Sequence, residues 1–314
     1  MTKAISLIVP CYNGEEYISR FLDSLLAQTY PDIKLIFVND GSTDGTKEIL
    51  DSYQPLFKKR GYQILYLSQP NKGQAAAINL GLQKLTTPYV MWMDADDILM
   101  PDAVAEKINF LERHPDCGFA VCQGLIVNDK DPTTTCSTQQ RVEPSTSDDP
   151  FFSDLIYERN CVFTPAAYIA RTDILHKAIP TMHIYEYREG QNWQLLLPIS
   201  FISKCGYIQK PLYKYVVREN SHSHMPRTYD DLISRQEGLF TALEQTITSI
   251  PQMDDKDKSA WIKMARLKCM RTKCNYALRN FQPVDFLIYG IKTFVLEISR
   301  PPEQQLPNHA CDIY

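Results

Sequence analysis

The chain predicts an α/β fold: a doubly wound, mostly parallel sheet with a helical C-terminal extension. Three observations carry that expectation. Short apolar runs alternate with amphipathic helical stretches through the first third of the chain, the pattern of strand–helix–strand units around a parallel sheet. Polar loops rich in Gly, Asn and Asp follow those runs, at the sheet edge where open α/β folds bind ligands. After Tyr229 strand signals give way to helical periodicity up to about Arg300.

The elements follow in order. Ile5 to Val9 is an apolar strand ended by Pro10. Glu15 to Gln28 carries Tyr17, Ile18, Phe21, Leu22, Leu25 and Leu26 along one helical stripe. Lys34 to Val38 is the second strand; N-D-G-S-T-D-G-T breaks it, and Thr46 to Phe57 is helical. Ile64 to Leu67 is the third strand, followed by N-K-G-Q and an Ala-rich helix from Ala75 to Leu85. Tyr89 to Met93 is the fourth. Right-handed crossovers place every strand-to-helix loop at one sheet edge, so Tyr12, Asp40, Asn71 and the aspartates after Met93 should meet there. Phe119 to Val127 reads as strand. The polar stretch Asn128 to Pro150 is weakly patterned and reads as a mobile loop or a segment that orders on a partner. Strand candidates recur near Ser200–Gly206 and Leu212–Val217, and the tail from Pro301 to Tyr314 reads as loose. The domain expectation is residues 1–225 as one α/β domain carrying the ligand-binding loops, with 226–314 as the helical extension.

Composition narrows the function classes. At 314 residues, with 44% hydrophobic and 22% charged residues, the chain can bury a substantial core. A net charge of −4 argues against nucleic-acid binding. Nine cysteines without C-x-x-C or paired-His spacing suggest reduced thiols rather than a zinc site or a disulfide framework. The start, M-T-K-A-I-S-L-I-V-P, is too short for a signal peptide, and no run approaches the roughly 18–20 apolar residues that span a bilayer. The expected location is cytoplasmic, at most on the inner face of the plasma membrane. One segment is unevenly charged: Trp261 to Phe281 holds Lys263, Arg266, Lys268, Arg271, Lys273 and Arg279 and no acid. It reads either as a solvated helix face or as peripheral contact with anionic membrane through residues 261–281.

Val90 to Asp97, V-M-W-M-D-A-D-D, delivers Asp94, Asp96 and Asp97 at the end of a strand buried on both faces. Carboxylates crowded in a crevice repel one another, and a divalent cation relieves the repulsion. Hard oxygen ligands suit Mg²⁺ or Mn²⁺, and magnesium usually shares its shell with phosphate oxygens. The competing reading makes Asp96 and Asp97 simple companions of the next helix start. V-P-C-Y-N sets the Tyr12 ring and the Asn13 amide beyond the first strand, where a base can stack on Tyr12. V-N-D-G-S-T-D-G-T places Asp40 after the second strand, able to accept from a pyrimidine N3–H or a ribose hydroxyl, and Asp44 as the helix cap. No G-x-G-x-x-G or G-x-x-x-x-G-K-[ST] is present, which weakens dinucleotide and P-loop readings.

Together, V-P-C-Y-N, V-N-D-G-S-T-D-G-T, the block Asn71–Gly81 and D-A-D-D resemble the family 2 inverting glycosyltransferases with the A-type nucleotide-sugar fold. The resemblance implies a nucleotide-diphospho-sugar donor, UDP-linked in first place, and an acceptor hydroxyl on a glycan or lipid-linked glycan in cell-surface polysaccharide synthesis. By resemblance, Pro10, Tyr12, Asn13, Asp40, Asn71, Gly73, Asp94 and Ala95 line the donor site. Asp96 would bind Mn²⁺ or Mg²⁺ on the diphosphate. Gly206–Ser223 resembles the family's later P-L-x-x-Y-R…S block, so Arg218 and Ser221 would close over the diphosphate, with His222 a further metal-ligand candidate.

The chain departs from the family pattern in one place. Where an acidic E-D-W-type motif is usual it reads E-G-Q-N-W, and Gln191 and Asn192 are amides that cannot take a proton. A subgroup of bacterial sugar transferases resembles this G-Q-N-W form. The catalytic segment is thus Glu186, Glu189 and Asn192, with Glu186 the preferred base. A catalytically silent nucleotide-sugar binding or scaffold protein is the alternative, and a nucleotidyltransferase is disfavoured because V-P-C-Y-N lacks a Gly-rich basic signature.

Overall fold

In a computed structural model that describes residues 3–142, 150–188, 190–218 and 227–299, the first half alternates as the sequence predicts. The elements are β1 (Ile5–Cys11), α1 (Ile18–Leu26), β2 (Ile33–Asn39), α2 (Thr46–Arg60), β3 (Gln63–Ser68), α3 (Gln74–Leu82) and β4 (Tyr89–Trp92). Next come β5 (Ile98–Leu99), α4 (Ala103–Arg113), β6 (Cys117–Asn128), β7 (Asp131–Gln139), α5 (Phe151–Tyr157), β8 (Tyr168–Arg171) and α6 (Thr172–Ala178). Then follow α7 (Gln191–Ile202), β9 (Lys204–Val217), α8 (Tyr229–Ser249), α9 (Asp255–Arg279) and α10 (Pro283–Ile298).

The sheet order is β3-β2-β1-β4-β8-β6-β9-β5, with β7 added beside β6. The first four strands are parallel: β1 pairs with β2 and β4, and β2 with β3. The chain winds outward from β1 to β3, then returns to lay β4 on the other side of β1. The crevice beyond the carboxyl ends of β1 and β4 is therefore a topological switch point, the place where open α/β sheets take ligands. Burial explains the apolar runs, since every residue of β1 and β4 is buried, as a sheet covered on both faces requires.

Several boundaries differ from the sequence expectation. Pro10 does not end β1, which runs on to Cys11 against Asn39. Pairing with β4 stops at Ile8↔Trp92, so beyond Val9 the strand has one free edge where a missing N–H removes no ladder bond. The polar Asn128–Pro150 stretch contains β7, antiparallel to β6 with a shifted register near Ile126–Asn128. Its residues are mostly exposed, so no apolar alternation announced it. Ser200–Ile202 closes α7, a helix buried nearly all round whose sequence shows no polar face; β9 starts at Lys204.

The C-terminal region is helical, as predicted. Trp261 of α9 is buried and meets the Phe152 ring of α5 edge-on at 5.1 Å. The expected boundary near residue 225 lies outside the described residues. The six cations of 261–281 are largely engaged within the molecule. Lys268 pairs with Glu158, Lys273 with Glu237 and Arg271 with Glu297, while Arg266 lies 3.6 Å from Glu244 and Lys263 donates to the Ser299 carbonyl. The acids missing from this segment come from its neighbours, so these five cations are no evidence of lipid contact.

Candidate functional site: the loops at the β1/β4 switch point

The loop after β1 and the loop after β2 are tied to each other. Asn13 adopts φ 48°, a left-handed conformation that Asn tolerates better than most residues. Its Oδ1 accepts from the Thr43 N–H at 2.9 Å, and its own N–H donates to Ser42 Oγ at 3.0 Å. Asp44 accepts from the Thr46 and Glu15 amides at 3.1 and 2.9 Å, so it serves the start of α2, but from one residue before the cap position, which is Gly45 and not Asp44 as expected. Tyr12 is 47% exposed on this rim; a flat ring open on one face is what base stacking needs.

Asp40 is buried, and its carboxylate organises the loop after β3. Oδ1 accepts from Gln69 Nε2 at 2.7 Å and the Lys72 N–H at 2.9 Å, and Oδ2 from the Gly73 N–H at 2.8 Å. Two glycines make this possible. Gly41 has φ +78°, and a Cβ there would lie 2.6 Å from the Asn71 nitrogen. Gly73 has φ +91° at the start of α3, a conformation that L side chains rarely adopt. Asn71 is exposed where the loop bends. An ionised carboxylate has about four lone-pair sites, so Asp40 retains capacity at Oδ2 for one further donor.

The three aspartates diverge. Asp94 accepts from Gln74 Nε2 at 2.6 Å, Ala95 is buried in the turn, and Asp96 accepts from Arg218 through Nε at 3.0 Å and a terminal nitrogen at 2.6 Å. Register explains that last pair. β5 follows D-A-D-D directly and runs antiparallel to β9, with Ile98↔Lys214; counting back sets the aspartates beside the residues at the end of β9. Accordingly Asp97 Oδ1 accepts from the Val216 N–H at 3.3 Å, while its buried Oδ2 has no partner among the described residues. The Arg218 guanidinium also lies over the Tyr17 ring, 4.1 Å from its centre.

The predicted repulsion is present. Burial, then the charge of Asp96, pushes the Asp94 carboxyl up to about 7. Burial, then Asp96 and Asp94, raises Asp97 well above the usual carboxylate range. The described residues do not, however, gather three His, Cys, Asp or Glu into a metal cage. They fit an ion only in the manner usual for magnesium, through one or two carboxylates and phosphate oxygens. The orphaned Asp97 oxygen and the raised Asp94 mark a cluster that a cation would relieve. Ser221 and His222 lie outside the described residues.

The segment predicted to face an acceptor, from Ile184 to Asn192, is fastened to the switch-point side of the sheet by α3 and β4. Asn79 of α3 donates to the Ile184 carbonyl at 2.9 Å and accepts its N–H at 2.8 Å. Asn79 stands five residues beyond Gln74, roughly 7–8 Å along the helix. Beside it, Glu186 is half-exposed, 3.5 Å from the His183 ring. Glu189 lies outside the described residues. Asn192 is a strut: its Oδ1 accepts from Trp92 Nε1 at 2.9 Å and its Nδ2 donates to the Phe163 carbonyl at 2.5 Å. Gln191 is buried and donates to the Tyr187 and Arg188 carbonyls.

Sequence reasoning missed Gln74, Gln69, Asn79, Tyr17 and Trp92. The Gln74–Asp94 pair spans two loops, so only the shared sheet edge hinted at it. The Trp92–Asn192 bond crosses 100 residues and left no local signal.

A sheet with this switch point and these four loops belongs to the doubly wound α/β proteins, whose open edge is where such sheets take ligands. More particularly, residues 6–212 match the family described as glycosyl transferase family 2, and the chain belongs to that family. An uncharacterized glycosyltransferase of Rickettsia felis is 30% identical over 316 aligned positions, covering 93% of this chain and 50% of that protein. The chain thus spans about half the length of that relative, and less of several others. Among solved structures, S. aureus TarS 1–349 superposes with TM-score 0.66 at 18% identity over 96% of this chain and 82% of that one. The same protein in complex with UDP-GlcNAc gives 0.64 at 17% identity, over 87% and 80%. The mannosyltransferase PcManGT from Pyrobaculum calidifontis, in complex with GDP-Man and Mn²⁺, gives 0.54 at 16% identity over 94% and 88%. These likenesses bear out the A-type glycosyltransferase fold with its helical C-terminal region.

Proposed function

We propose that the protein transfers a sugar from a UDP-linked donor to an acceptor hydroxyl with inversion, at the β1/β4 switch point. The observation that carries this is the convergence there of an exposed Tyr12 ring, a partly committed Asp40 and the Asp96–Arg218 pair. In a nucleotide-binding crevice these supply a stacking face, an acceptor for a base or ribose donor, and charge for a diphosphate. TarS in complex with UDP-GlcNAc supports UDP as the first nucleotide to try.

The roles divide by chemistry. Tyr12 and Asp40 hold the nucleoside, and the backbone at Ala95 and Asp94 shapes the floor under the sugar. Arg218 can leave Asp96 for the diphosphate, stabilising the charge that builds as the C1–O bond breaks. When bound, a divalent ion at Asp96 would supply further charge neutralisation on the leaving group. Glu186 takes the proton of the acceptor hydroxyl, whose oxygen attacks C1 from the face opposite the nucleotide. Asn192 holds α7 against β4 and takes no proton. Acceptor specificity resides in the second half of the domain, and a glycan or lipid-linked glycan acceptor in cell-surface polysaccharide synthesis suits that reading.

Hydrolysis of a panel of nucleotide sugars by purified protein, followed by NMR of the released anomer, tests this. The expected result is metal-dependent release of sugar with inverted configuration, lowered by Glu186→Gln roughly 10²–10⁴-fold with donor affinity unchanged. Nucleotide binding without any turnover, with or without an acceptor, would favour the silent-binder alternative.

A further inference from the structure

The outer face of α10 has no cover among the described residues. Val284, Leu287, Ile291, Phe294, Val295 and Ile298 are each more than half exposed. Their spacing gathers them in an apolar stripe of roughly 120° on one side of the helix. No residue of α10 is buried, and single exposed apolar residues are ordinary, but a contiguous stripe of this kind marks a contact surface. The inner face is firmly seated. Tyr229 donates to Asp285 at 2.7 Å, Lys273 lies over the Tyr289 ring at 4.5 Å, and Arg271 pairs with Glu297. The stripe therefore points away from the body of the protein.

We infer that α10 is a membrane-interface helix that lays its apolar stripe into the headgroup boundary of an anionic bilayer. Charge selects this occupant. The only acids of the helix, Asp285 and Glu297, are turned inward onto Tyr229 and Arg271. The exposed charges at the stripe and its start are Lys292 and Arg279, both cations. A long cationic side chain at the flank of an apolar stripe can reach the headgroups while its stem stays in the interface, and each such cation near an anionic surface adds favourably. A second copy docked through the same stripe would meet the same cations with no outward-facing acid of α10 to pair with them. Spanning is not an option: among the described residues no helix is long and apolar enough to cross a membrane.

Cosedimentation of the full chain with vesicles tests this. One set is phosphatidylcholine alone and the other an equal mixture with phosphatidylglycerol, each at low and high salt. Sedimentation equilibrium without lipid reports self-association. The expected result is binding to the mixed vesicles that weakens with salt, a monomer in solution, and loss of vesicle affinity by roughly tenfold or more per side chain in Leu287→Ser, Phe294→Ser and their double variant. Both positions are exposed, so the melting temperature should not fall. Equal binding by variant and wild type, absence of wild-type binding to the mixed vesicles, or self-association abolished by the double variant would each overturn the proposal.

Discussion

At the scale of single residues, Asp40 and Tyr12 separate two kinds of contribution that the sequence joined. Both follow strand ends, and both were read as donor ligands. The structure shows that Asp40 also accepts the Lys72 and Gly73 amides, whereas Tyr12 is exposed and its ring makes no stacking or cation contact among the described residues. Asp40→Ala should therefore lower stability by roughly 1–3 kcal/mol, because two part-buried amides lose their carboxylate acceptor, and should weaken nucleotide binding as well. Tyr12→Ala should weaken binding and leave the melting temperature unchanged. Denaturant unfolding beside nucleotide titration distinguishes them; an Asp40→Ala protein as stable as wild type would show that the loop after β3 does not depend on this carboxylate. The aspartates carry a similar lesson. Their crowding was legible, and the raised Asp94 and Asp97 bear it out. That Arg218 already relieves Asp96 was not legible, because it depends on the register of β5 against β9.

Individual elements were legible in proportion to how strongly burial patterns them. β1, β2 and β4 are buried along their length and stand out as apolar runs. β7 is exposed along most of its length and held by pairing with β6, so its sequence carries turn-like residues and no alternation. α7 shows the opposite failure: it is buried on nearly every side, and a short apolar helix cannot be told from a buried strand by periodicity. Its first turn gives the departure from the family a physical reason. The Asn192 amide donates to the Phe163 carbonyl and accepts from Trp92; a carboxylate could keep only the second bond. Asn192→Asp should accordingly destabilise the protein by roughly 1–3 kcal/mol at neutral pH without raising the transfer rate. Thermal unfolding and an activity assay on the same sample check this. A gain in transfer would mean that this position can house the base and that Glu186 does not serve.

At the scale of the whole molecule, the fold sets loops from four strand–helix units around one crevice, and the second half of the domain reaches that crevice only through long-range bonds. Strand order made the crevice foreseeable, since alternation and right-handed crossovers leave few topologies. The placement of the Ile184–Asn192 segment beside that crevice was not foreseeable, because Asn79–Ile184 and Trp92–Asn192 span about 100 residues each. The central claim is that the β1/β4 crevice binds a nucleoside diphosphate. Calorimetric titration of UDP, with Mn²⁺ present, into wild-type protein and into Tyr12→Ala tests it most directly. The account predicts saturable one-site binding to wild type that drops by roughly tenfold or more when the stacking ring is removed, as an aromatic–base stack worth about 1–3 kcal/mol implies. Equal affinity in the two proteins would contradict the placement of the site, and absence of binding to wild type would contradict UDP as its ligand.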